Sequence, residues 1–283
     1  MSSWRSEARV ILALIAVPLI GALASLVFAL TRGLTGFDLL SFLAFYLWTG
    51  LGITVGYHRL FTHRAFETST ALRVVFAIAG SMAIQGPVSR WAADHRRHHM
   101  HTDRPGDPHS PAEGGLWHAH LAWLFVGDKT SIARYAPDLL EDPALRPIER
   151  GYVAWVVLSL GLPALLGGAY GGPERALAGL LFAGLARICL LQHVTWCVNS
   201  ICHRFGAQAF HTGDQSRNNR VIALLALGEG WHNNHHAFPS SARQGLRPGQ
   251  LDLSYALIRG LELLGLVWKV RRISKRQLDA RSG

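Results

Sequence analysis

The sequence predicts an all-α membrane protein with four transmembrane helices in two hairpins beneath a cytosolic helical cap. Three observations predict it. Of 283 residues, 49% are hydrophobic and 16% charged, against about 25% charged in an average soluble domain. Four long stretches are almost free of charge. The Lys and Arg residues are concentrated in the segments that four spans would place on one side.

The spans follow in order. Val10 to Leu30 contains no charged residue and is long enough for a hydrocarbon core of about 30 Å. Arg5 and Arg9 precede it, as in a signal peptide. A signal's apolar core is shorter, roughly 7–15 residues, so a retained helix is expected. Phe37 to Tyr57 is the second span, with Asp38 at its outer end. Gly151 to Tyr170 is the third. Ala176 to Val198 is the fourth, interrupted by Arg187. The links "TRGLTG" and "GGPE" close the two hairpins. Residues 58–150 and 199–283 form the cap, and 1–283 reads as one integral-membrane domain.

Charge sets the orientation. Eleven Lys or Arg lie between Arg59 and Arg150 and twelve between Arg204 and Arg281, whereas the hairpin links carry only Arg32 and Arg175. The positive-inside rule places both termini and the cap in the cytoplasm. The net charge of +10 then needs no nucleic acid, because basic loops facing an anionic leaflet account for it. Cys189, Cys197 and Cys202 show no CxxC spacing and read as small packing residues, not as a disulfide framework.

Fifteen histidines are present, and eight fall into three clusters on the cytoplasmic side. "HRLFTH" holds His58 and His63. "DHRRHH" holds His95, His98 and His99. "HNNHH" holds His232, His235 and His236. In the last two, spacing i, i+3, i+4 puts three imidazoles on one helix face. Imidazole suits iron, zinc, copper and nickel. Eight ligands exceed what one zinc centre uses, so two metals are the economical reading. The Glu and ExxH set of carboxylate-bridged di-iron bundles is missing from the sequence.

These stretches carry a resemblance. "GITVGYHRLFTHRAF", "DHRRHHMHTDRPGDPH", "TWCVNSICHRFG" and "GEGWHNNHHAF" are similar to the signature stretches of the membrane fatty acyl desaturase family, from about Phe37 to Lys269. The branch they resemble most is the Δ9 acyl-CoA and acyl-lipid enzymes. The resemblance implies a cap holding two iron ions, with dioxygen as co-substrate. It implies removal of two hydrogens from a saturated long-chain acyl-CoA or lipid-bound acyl chain, giving a cis double bond at Δ9. No haem or flavin motif occurs, so electrons would come from a separate donor of ferredoxin, rubredoxin or cytochrome b type.

By the same resemblance, "NSICH" adds His203 as a ninth ligand, and Asn199 would reach a metal through a water. Gln85, Trp91, Thr195 and Trp196 would line the bend of an acyl tunnel. Asp94 and Arg96 would meet a polar head group or orient His95. Tyr46, Gly50 and Tyr57 share a face of the second span. Gly50 lies eight residues before His58, about 12 Å at 1.5 Å per residue, and Tyr46 would close the tunnel one turn deeper. His101, His118, His120 and His211 read as loop or cap residues, His193 as a packed one, and His109 closes the family-like "GDPH". Arg187 reads as paired or snorkelling. The family's animal acyl-CoA enzymes carry a basic pair after a "GWL"-like stretch. Here "AWLFVGDKT" sets Gly127 and Asp128 there, with Lys129 next, which weakens the case for CoA.

Two other classes are compatible with clustered histidines. A histidine-rich di-iron hydroxylase or monooxygenase would leave oxygen in its product. A membrane metal carrier would string its ligands along a path through the spans.

Overall fold

The computed structural model describes residues 2–126 and 129–281, with side chains from residue 7 onward; Gly127 and Asp128 of the "AWLFVGDKT" stretch lie outside the described residues. The chain is mostly helical. The helices are α1 (Ser2–Arg32), α2 (Gly36–Leu51), α3 (Thr70–Ser81), α4 (Val88–His101), α5 (Pro111–His120), α6 (Ile132–Tyr135), α7 (Pro137–Leu140), α8 (Arg146–Arg150), α9 (Tyr152–Gly179), α10 (Arg187–Ser200), α11 (Arg220–Leu225), α12 (His232–Ala237), α13 (Leu253–Leu263) and α14 (Lys275–Arg281). Two strands, β1 (Glu67–Thr68) and β2 (Val267–Trp268), pair antiparallel and tie the end of the cap to its beginning.

Three helical runs are long and apolar enough to cross a membrane: Glu7–Arg32, Gly36–Thr62 and Tyr152–His203. The third holds two of the four stretches read from the sequence. It reverses at Gly171 and Gly172, whose backbone leaves the helical region, Gly172 with φ of 74°. Its two legs then lie against each other. A Cβ at Gly167 would sit 2.1 Å from the Arg175 carbonyl oxygen, and one at Gly179 would sit 2.2 Å from that of Pro163. Only glycine allows that approach.

The hairpin ends are fastened by charge. Thr35 and Asp38 form a reciprocal capping box at the start of α2, which satisfies amide donors that a helix start leaves free. The guanidinium of Arg175 donates to Asp38 Oδ2 at 2.8 Å, joining the two links. Arg187 is wholly buried and does not snorkel. It donates to the carbonyls of Ala183, Met82 and Ser159 and to the hydroxyls of Thr49 and Ser159. Its five N–H groups are absorbed by neutral acceptors on α2, the end of α3, α9 and the turn that leads into α10.

The second run changes character at its C-terminal end. Gly52–Thr62 is a π-helix, closed by a bond from the His63 amide to the His58 carbonyl at 3.0 Å. Gly52 and Gly56 let it press onto α3, where a Cβ would come within 2.4 Å of Ala79 and 2.9 Å of Phe76. Residues five apart stack in such a coil, so His58 and His63 share a face. In an α-helix they would lie about 140° apart.

Candidate metal centre

Four segments deliver the nine expected histidines to one place. The π-helix supplies His58 and, just past its end, His63. Helix α4 supplies His95, His98 and His99, and α12 supplies His232, His235 and His236. His203 ends a single 3₁₀ turn after α10. Their nitrogens fall into two groups, each within 4.8 Å: His58, His63, His95, His99 and His235 in one, His98, His203, His232 and His236 in the other. The groups adjoin, with the rings of His99 and His236 stacked at 4.6 Å.

The outer ring nitrogens have acidic partners. His98 Nδ1 lies 3.0 Å from both oxygens of Asp107. His203 Nδ1 meets Asp103 at 2.9 Å, His236 Nδ1 meets Asp214 at 3.0 Å, and His58 Nδ1 pairs with Glu229. A carboxylate only accepts, so each of these Nδ1 atoms carries the proton and each Nε2 presents a lone pair inward. Burial pushes His63, His95, His98, His99, His232 and His235 well below the usual histidine range, and neighbouring imidazoles add to it. They are neutral, as ligands must be. At Asp103, burial acts upward, but the hydrogen bond from His203, joined by those from the Gln215 amide and the Ser110 hydroxyl, outweighs it and holds the carboxyl at about 2.

This arrangement fits a metal pair. His98 Nε2 faces His236 Nε2 at 3.4 Å and His203 Nε2 faces His232 Nε2 at 2.9 Å. With the Nδ1 protons of His98 and His236 committed outward, their inner contact brings two lone pairs together. That geometry is repulsive without a cation between them.

A second layer fixes the carboxylates. Arg59 is buried and binds Glu229, Asp252 and the Ala242 carbonyl. Asp214 accepts from Thr212 and Ser216. Asn233 Oδ1 takes the amides of Ala209 and Phe210, and Asn234 donates to the Gln244 carbonyl, so the paired asparagines of "HNNHH" anchor α12. The histidine spacing does not mark these residues. Asp103 and Asp107 had a signal, since each ligating histidine needs an acceptor and they follow HxxHH closely. Asp214 is remote from every cluster and carried none.

A mostly apolar cavity ends on these rings. Gly50, Ile53, Thr54, Trp91, Leu191, Val194, Thr195, Val198, Asn199, Leu225, Ala226 and Leu227 line it, with His58, His95, His232 and Glu229 at its head. Of the expected tunnel residues, Gly50, Trp91 and Thr195 are on its wall, as is Asn199. Gln85 stands behind, donating to Thr195 at 2.9 Å and accepting from Trp91 at 3.3 Å. Tyr46 donates to the Leu225 carbonyl at 2.8 Å. Trp196 points elsewhere, against His120 and His193. The π-helix turns Tyr57 away from the Tyr46–Gly50 face, to Ser81.

Arg96 is spent on structure: it clasps Asp138 and the carbonyls of Phe61, Thr62 and Tyr135. Asp94 lies 4.0 Å from Arg90, and burial raises its carboxyl. Neither lines this cavity. His120 and His193 bond each other at 3.0 Å, and His101 meets Tyr135. His109 is buried beside His98.

A family model described as fatty acid desaturase matches residues 37–259. The chain belongs to the fatty acid desaturase family. It is therefore an oxidoreductase of fatty acyl chains, and its relatives span several substrates. It is 46% identical over 243 residues to the hex-5-enoyl-[acyl-carrier protein] acetylenase of Moorena producens, covering 82% of this chain and 76% of that protein. It is 38% identical to the sn-1 stearoyl-lipid 9-desaturase of Anabaena variabilis, covering 83% and 84%. It is 40% identical to the acyl-CoA C20 Delta5-desaturase of Anemone leveillei, covering 81% and 72%. The three names differ in carrier and in bond position.

Proposed function

We propose that this desaturase is a four-span membrane enzyme that places a cis double bond at Δ9 of a saturated long-chain acyl group carried by CoA or by a membrane lipid. The observation that supports it most is the meeting of cavity and histidines. The cavity head includes His58 and His95 of one nitrogen group and His232 of the other, so a chain lying in the cavity reaches both. Two irons bound there, with dioxygen and two electrons, would supply an oxidant able to take hydrogen from an unactivated methylene.

The protein's own part is placement. The carboxylates behind the rings hold each Nε2 inward. Trp91 and Thr195, linked by Gln85, shape the wall next to His95. The apolar wall keeps water from the reacting carbons. The nine histidines would be the ligands, with Asn199 acting through a water. The two legs of α9–α10 would be separate spans, and the basic cap would face the cytoplasm together with both termini. Electrons would come from a separate small redox protein.

Cells expressing the chain test this by gas chromatography with double-bond mapping. New Δ9 cis-monoenes are expected. A hydroxylated product would mean the monooxygenase reading, and a bond at another position would move the regiochemistry.

A further inference from the structure

The histidines face two openings. The apolar cavity touches His58, His95 and His232. A second cavity, of about 430 Å³, touches His63, His99 and His236. Among the described residues, none lines both. Each of three segments gives one ring to either side: His58 and His63 come from the π-helix and the residue after it, His95 and His99 from α4, His232 and His236 from α12. Within these pairs the ring centroids lie 4.7, 4.6 and 4.4 Å apart. A metal pair held by these rings stands as a partition between two spaces.

The second space suits water. Thr102, Arg104, Thr212 and Asp214 put polar groups on its wall. Met100, Arg104 and Pro239 on the same wall are exposed, so it opens to solvent. A roomy polar cavity takes up water, whereas a purely apolar one stays dry. Burial of the histidines agrees. His58, His95, His98, His203, His232 and His235 are buried. The three that keep some exposure, His63, His99 and His236, are the three on this wall. The His236 side chain is itself only 2% exposed, so the way in runs along His63 and His99.

Desaturation needs such an opening. The acyl chain gives up two hydrogens, and two electrons with two protons complete the reduction of dioxygen to two waters. At every turnover, therefore, protons must arrive and water must leave. A chain filling the apolar cavity gives them no path there, because polar species are costly to move through hydrocarbon. We propose that the polar vestibule is the aqueous port of the metal centre. Protons and small water-borne ligands reach the His63–His99 side through it, and product water leaves by it, while the acyl chain occupies the other opening. This rests on the desaturase reading and adds a second, separate site.

The test uses azide, a small anion that gives a new absorption band when it binds ferric iron. Iron-loaded, oxidised Arg104→Cys protein is mixed with azide before and after treatment with a bulky, water-soluble methanethiosulfonate. Wild type treated alike controls for Cys189, Cys197 and Cys202. Modification at position 104 should slow azide binding at least about tenfold, since a plugged mouth must clear before the ion can pass. Release of the adduct with a thiol should restore the rate, and the wild type should not respond. Azide that binds fully modified Arg104→Cys at the full rate overturns the port. So does a wild type that holds two irons and gives no azide band. Should Arg104→Cys fail to fold, Pro239→Cys on the same wall takes its place. Gas chromatography of the products reads the desaturase proposal separately. An azide route that the plug closes, with no double bond formed, overturns that reading and leaves the port. Double bonds together with an azide route that the plug does not close overturn the port alone.

Discussion

Nδ1 of His98 is 3.0 Å from both carboxylate oxygens of Asp107. Asp107 also accepts from the amides of Asp103 and His109, so it fixes both the ring and the loop after α4. Asp107→Asn should weaken the four-histidine group and spare the five-histidine group. A loss of roughly 10–100-fold in affinity for one metal of two is expected. Chelator competition followed by iron counting checks it; two metals lost together would contradict separate groups.

His98 and His235 belong to different nitrogen groups. His98→Ala and His235→Ala should each abolish desaturation while the protein still reaches the membrane. The wild type should carry about two metals per chain, though zinc can replace iron on overexpression. Fatty acid analysis beside a membrane-fraction blot reads both, and full activity in either variant sinks the ligand assignment.

The turn at Gly171 and Gly172 should lie opposite the histidines across the membrane. Single cysteines introduced near Met100 and near Pro239 should label from the cytoplasm, and one at Glu174 only from the far side. Labelling of position 239 from outside would reject the four-span orientation.

Gly50 abuts Leu227 and Leu191 on the cavity wall. Gly50→Phe should shift preference to shorter chains and leave the double bond at the same distance from the carboxyl end. Competition among acyl substrates of several lengths shows it. Uniform loss together with loss of folded protein would instead mark Gly50 as a close-packing residue.

Arg187→Met should destabilise the bundle without touching the cavity. Three carbonyls and two hydroxyls lose one donor each; the Met82 carbonyl keeps the Ser159 hydroxyl, and each buried acceptor left with no other donor costs about 1–3 kcal/mol. A lower melting temperature in detergent at unchanged metal content is expected. Unaltered melting would mean that these groups find other donors.

Much of this was legible in the sequence because its signals are local. The spans follow from charge-free length, and the HxxHH clusters from helical spacing. The spacing of His58 and His63 resisted, because five residues fit no α-helical face and the π-helix that explains it depends on α3 packing at Gly52 and Gly56. Asp214 resisted because only the fold brings it to His236. The place of Arg96 resisted because its guanidinium clamps the π-helix end to Asp138 and Tyr135, partners about forty residues away in the chain.

The π-helix makes spacing and coil inseparable traits. Tightening Gly52–Thr62 into an ordinary α-helix would swing His63 about 140° away from His58, and a spacer one residue shorter would then be needed to bring the two rings back to one side. The interval of five is therefore matched to the coil that carries it: the residue count between the two histidines records the winding of the backbone, not a property of Leu60 or Phe61.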